Sequence, residues 1–215
     1  MWLMTLRQHF DDRLRELRSD VLRMGGVVAE MIRLGVEATI SGDIGLASKV
    51  IEMDDEVDAF EKSVLKNTVL TMMQEAPVAG DLRVLVSILG VVGEIEKAAD
   101  DAVKLARRST KLTGHFPAEL KLALNELGEE TRTTFLAAMR LLGEYDEDLA
   151  NQIVHGDKAI DTRYVAARDR VIDLMKGNPT EAEHLVRTIE SFHALEHVAD
   201  HAVEIAQRLK LHQSG

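Results

Sequence analysis

Among the acidic residues spaced four positions apart in this chain are Asp54/Asp58, Glu96/Asp100, Asp157/Asp161 and Glu196/Asp200, two pairs in each half. Residues at that spacing are neighbours on a helix surface, so each pair forms one prong carrying two carboxylates. Carboxylate oxygens are hard donors suited to Mg, Ca or Mn, and iron and zinc accept them as well. Prongs that converge without a counter-charge repel. One pair of like charges at 4 Å costs about 1 kcal/mol in water and about 4 kcal/mol at an effective dielectric of 20. Protons, Lys or Arg partners, solvent or a metal ion must offset that cost.

The pairs recur because the chain repeats itself. EIEKAADDAVKLA (94–106) aligns with ALEHVADHAVEIA (194–206) at an offset of 100, and VIEMDDEVD (50–58) aligns with IVHGDKAID (153–161) at an offset of 103. Helical periodicity fills nearly everything between a few breaks: SGD (41–43), QEAPVAGD (74–81), KLTGHFPAE (111–119), LGEYDED (142–148) and KGNPT (176–180). These breaks leave six helices of roughly 25 to 35 residues, about 40–50 Å long. Pro179 and Pro77 mark helix starts, and Gly25-Gly26 marks a bend inside the first helix. The expected fold is all-α: two tandem, pseudo-symmetric three-helix bundles, residues 1–112 and 113–215, each up-down-up with short loops.

At 100° per residue, with Glu96 at the origin, Asp100 lies about 40° away and Val92, Ile95, Ala99, Val103 and Ala106 fall at roughly 260° to 340°. The acids therefore flank the packed face. Phe192, Leu195, Ala199, Val203 and Ala206 repeat the pattern beside Glu196 and Asp200. Asp54 and Asp58 flank Val50, Met53, Val57 and Val64, while Asp157 and Asp161 flank Ile153, Ile160 and Val171. Packing the second helix of each repeat on its third would join Asp54, Asp58, Glu96 and Asp100 in one cluster, and Asp157, Asp161, Glu196 and Asp200 in another. His193 lies near enough to the Glu196/Asp200 edge to add a nitrogen ligand. His197 and His201 fall further round the wheel, toward water, as a surface stripe. The nine methionines are expected in the core.

Composition narrows the function. A net charge of −11 argues against nucleic-acid binding, which relies on Lys and Arg. The absence of cysteine removes disulfides, thiolate metal sites and cysteine nucleophiles. With 46% hydrophobic residues, only 4% aromatics and three prolines, a helical bundle is favoured over a sheet. The longest apolar run, VLVSILGVV (84–92), is too short for the roughly 20 residues of a membrane span, and a soluble, cytoplasmic chain is expected. The patterns GxxxxGK[ST], GxGxxG, GxSxG and HExxH are all missing. A ferritin-like di-iron oxidase needs Glu-x-x-His on two different helices, whereas Glu181/His184 and Glu190/His193 both fall on the last one. A non-enzymatic role is expected, with a carboxylate-bridged di-metal storage or redox protein as the alternative.

VLRMGGVVAEMIRLGVEA, ASKVIEMDDEVD, APVAGDLRVLVSIL and the two Glu-x-x-x-Asp segments occur in an order that resembles the PhoU family, the phosphate-uptake regulators of bacteria. The likeness spans nearly the whole chain. It implies a homodimer of tandem three-helix bundles with multinuclear metal sites at the acidic motifs, here Asp54/Asp58 with Glu96/Asp100 and Asp157/Asp161 with Glu196/Asp200. The resident ion would be iron, zinc, manganese or magnesium. It further implies a negative regulator that couples a phosphate ABC importer, through its ATPase subunit, to a sensor histidine kinase, and that is peripheral to the membrane at most. The family's ERIGD pattern reads EKAAD and EHVAD here, keeping the acids and changing the Arg and Gly.

Overall fold

The computed structural model describes residues 2–75, 77–112 and 115–213, apart from the side chains of residues 2–6, 157 and 212–213. Six long helices account for most of it: α1 (Trp2–Ser41), α2 (Ile44–Gln74), α3 (Ala79–Leu112), α4 (Lys121–Gly143), α5 (Glu147–Gly177) and α6 (Ala182–Gln213). Single 3₁₀ turns at Ala118–Leu120 and Pro179–Glu181 lead into α4 and α6. At 40 residues α1 exceeds the expected length, and α4, at 23, falls just short of it.

The sequence breaks act through identifiable contacts. Gly42 takes a φ of 73°, which glycine adopts without a Cβ penalty, and its N–H bonds the Ala38 carbonyl to close α1. Asp43 then caps α2, its carboxylate accepting from the Gly45 and Leu46 N–H groups at 2.7 and 3.1 Å. Asp146 caps α5 by accepting from the Leu149 N–H at 3.0 Å. Gly25-Gly26 does not interrupt α1. Gly25 is instead a point of close approach, where an added Cβ would lie 2.7 Å from Met139 Cε on α4. Gly128 of α4 does the same for α1, since its Cβ would lie 2.6 Å from Val36 Cγ2.

Within each repeat the three helices pack on one another; between repeats, α3 pairs with α6 and α1 with α4. The result is a row α2–α3–α6–α5 backed by α1 and α4. One hydrophobic core runs through both repeats, with Val57, Ile95, Phe135, Ile160 and Leu195 all buried in it. The apolar positions flanking the acids on α3 and α6 are buried as their periodicity requires, which fixes the acids at the rim of the packed faces.

Candidate metal centre

Two acidic grooves result, one between α2 and α3 and one between α5 and α6. In the first, burial pushes the Glu96 carboxyl up, and the negative charges of Asp100, Glu61, Asp54 and Asp58 add to the effect. Asp54 is raised likewise, by burial first and then by Asp100 and Asp58. Asp54, Asp58 and Glu96 are half-buried and Asp100 is exposed. Asp58 accepts a bond from Lys62 at 2.6 Å, whereas among the described residues Asp54, Glu96 and Asp100 have no cation within 4.0 Å. Glu61 belongs to this set, and its position one turn beyond Asp58 could have flagged it in the sequence.

The second groove is tighter. One carboxylate oxygen from each of Asp161, Glu196 and Asp200 lies within 4.8 Å of the other two. The Asp157 side chain lies outside the described residues. Burial raises the Asp200 carboxyl, opposed by His197, and Asp161 raises it further. His193 Nε2 stands 3.8 Å and His197 Nε2 3.9 Å from Glu196 Oε2. Burial, together with the neighbouring His197 and Arg108, lowers the affinity of His193 for a proton, which favours the neutral imidazole that a metal requires.

The donor sets differ accordingly. The first groove offers oxygen alone, and among the described residues no three of its acids reach the 4.8 Å spacing. The second adds imidazole nitrogen from His193 and His197. Ligand atoms around a tetrahedral ion stand about 3–3.5 Å apart, a closure within reach of half-buried side chains by rotation. Acidic side chains gathered at half-buried positions, with Asp54, Glu96 and Asp200 raised by burial and by neighbouring acids, fit a bound cation in both grooves.

The surface-stripe expectation fails for His201, while the His197 side chain stays 45% exposed. His197 leans toward Glu196 and also reaches Asp101 at 3.8 Å. His201 turns into the α3–α6 seam, where its Nδ1 donates to Glu94 at 3.0 Å and its Nε2 lies 3.4 Å from Asp101. Burial opposes a charge on His201, yet the bonds to Asp101 and Glu94 outweigh it and raise its pKa. Glu94 also accepts from Lys97 and from Arg208, the latter at 2.8 Å, and Asp101 accepts from Lys104 at 2.8 Å. Glu94 and Asp101 are buried although their own repeat's apolar face lies on the other side of α3. The opposite repeat covers them, a relationship that a single-helix wheel does not contain. The only sequence signal was chemical mismatch across the repeat, with Asp101 aligned to His201.

A tandem pair of three-helix bundles carrying an acidic groove in each repeat defines the class of fold. The chain belongs to the PhoU domain family, whose sequence model matches residues 21–109 and 124–209, one match in each repeat. It is 31% identical over 204 residues to the phosphate-specific transport system accessory protein PhoU homolog of Pseudomonas putida, covering 94% of this chain and 79% of that one. The homolog of the same name from Pseudomonas aeruginosa is 30% identical, with 94% and 84% covered. The crystal structure of PhoU from Pseudomonas aeruginosa superposes with a TM-score of 0.91 at 29% identity, over 96% of this chain and 99% of that one. The fold is also that of the phosphate transport system regulatory protein PhoU from Streptococcus pneumoniae, with a TM-score of 0.87 at 23% identity. Among the described residues, no helix is long and apolar enough to cross a membrane.

Proposed function

We propose that this chain is a metal-binding regulatory adaptor of a phosphate-specific transport system. The observation that carries the reading is similarity, over 94% of the chain, to relatives named as accessory proteins of that system, in a chain that holds both acidic grooves on long helices. The adaptor works in the cytoplasm as a homodimer, contacting the importer's ATPase subunit and a sensor histidine kinase and holding the kinase silent when phosphate is ample. The −11 charge and long helical faces favour basic patches on those partners.

Asp54, Asp58, Glu96 and Asp100 hold cations in the first groove, and Asp161, Glu196 and Asp200 hold them in the second, with Asp157 and His193 as further ligands. A bound ion, whether iron, zinc, manganese or magnesium, supplies positive charge that ties α2 to α3 and α5 to α6. The test is affinity purification of the tagged chain from phosphate-replete cells. Recovery of both the ATPase and the kinase is expected, and recovery of neither contradicts the adaptor.

A di-metal storage or redox protein is the second reading, favoured by the imidazoles of His193 and His197 beside Glu196. Oxygen consumption on adding ferrous iron separates it from the adaptor, which predicts none above the uncatalysed background.

A further inference from the structure

A third cluster of ligating side chains lies apart from both grooves, where the linker between the repeats meets the turn between α5 and α6. It comprises His115, Glu181 and His184. The linker is anchored by Phe116, which is buried and sits 6.3 Å from the ring of Phe192, and by the His115 N–H bonding the Leu112 carbonyl at 2.7 Å. These contacts set the His115 ring against that of His184, with centroids 4.1 Å apart and planes within 7°. Glu181 stands three residues before His184, on the same face as the chain enters α6. Its Oε2 lies 3.1 Å from His184 Nδ1 and 3.7 Å from His115 Nδ1. One donor atom from each of the three lies within 4.8 Å of the others. The cluster borders an open cavity of about 520 Å³, so an ion has room to enter and to keep a water ligand.

We propose that His115, Glu181 and His184 bind one divalent transition metal ion of the zinc type. Two imidazole nitrogens and one carboxylate match the borderline character of zinc and discriminate against magnesium and calcium, which take oxygen. The first acidic groove offers oxygen alone and separates from this site by metal, whereas the second, with His193 and His197 beside Glu196, is told apart by which substitution removes the ion. A bound ion clips the inter-repeat linker to the α5–α6 turn and fixes the entry to α4.

The experiment measures zinc binding to the full chain by equilibrium dialysis in excess magnesium, comparing the parent with His115→Ala, His184→Ala and the groove variant Asp100→Asn/Asp200→Asn. His115 is half exposed, so its replacement leaves the fold intact, as a thermal melt of that variant verifies. The parent and the groove variant are expected to share one zinc equivalent that both histidine variants bind at least about 10-fold more weakly, the lower range for disturbing a metal's outer shell. X-ray absorption of the zinc form of the groove variant should show nitrogen ligands. Equal zinc stoichiometry and affinity in the parent and both histidine variants overturns the proposal. Loss of this zinc in the groove variant alone overturns it too, by assigning the ion to the acids.

Discussion

Asp101 and His201 occupy equivalent positions of the two repeats, 100 residues apart, and they touch, with His201 Nε2 3.4 Å from Asp101 Oδ2. In a pseudo-twofold arrangement, equivalent residues meet only at the axis, so this contact marks where the repeats join. Two aspartates there would repel. A histidine at that position of one repeat makes the same contact an attraction. Away from the axis, Arg108 pairs with Glu190 at 3.2 Å while its equivalent, Arg208, reaches back to Glu94 at 2.8 Å.

The seam therefore responds to pH in a defined direction. His201 is raised above its ordinary value of 6.5, so its contribution is complete below that value and fades as pH rises through the folded one. Glu94 and Asp101 are lowered, because bonds from His201, Lys97, Lys104 and Arg208 outweigh burial, so their contribution disappears as pH falls through their depressed values. The join is strongest between about pH 4.5 and 6.5. His201→Ala should cost about 1–3 kcal/mol at pH 6, or roughly 2–4 °C in melting temperature per kcal/mol, and clearly less at pH 9. Melting curves of both proteins across this range check it, and a pH-independent difference would mean the imidazolium is not what binds the repeats.

The α1–α4 contact separates its two glycines. Gly25→Ala meets the Cε, Cγ and Sδ atoms of the unbranched, flexible Met139 side chain at 2.7, 2.9 and 2.9 Å, while Gly128→Ala meets the β-branched Val36 at 2.6 Å. The first is expected near neutral, because helix propensity returns about 1 kcal/mol, and the second to lose about 1–3 kcal/mol. Chemical denaturation of the two variants measures the contrast.

Glu96→Gln should act with opposite signs in two conditions. Without metal, burial first and then its neighbours' charge raise the half-buried carboxyl, so its ionised form disfavours the fold at neutral pH. The variant then stabilises the apo-protein. With metal at about 100 times its dissociation constant, the parent gains about 2.7 kcal/mol, and Glu96→Gln, like Asp100→Asn or Asp200→Asn, forfeits most of its groove's share. Melting with and without added ions reads both signs.

Much of this architecture was legible because local chemistry and periodicity agreed. Gly42, Asp43, Asp146 and Pro179 stop and start helices for reasons confined to a few residues, and the apolar spacing on α3 and α6 set Glu96, Asp100, Glu196 and Asp200 at the rim of the core. Glu94, Asp101 and His201 were not legible, since what buries them is a helix about 100 residues away. The close approach at Gly25 was hidden for the same reason, since it depends on Met139 of α4. His115, Glu181 and His184 come together through a linker and a turn, where periodicity carries no information.

The central claim is regulatory, and one strain tests it most directly. A phosphate-starvation reporter is followed in phosphate-rich medium after deletion of the gene for this chain and again after its return. The account predicts that the reporter switches on in the deletion strain and off when the intact chain is restored. A reporter that stays fully repressed without the chain would contradict it.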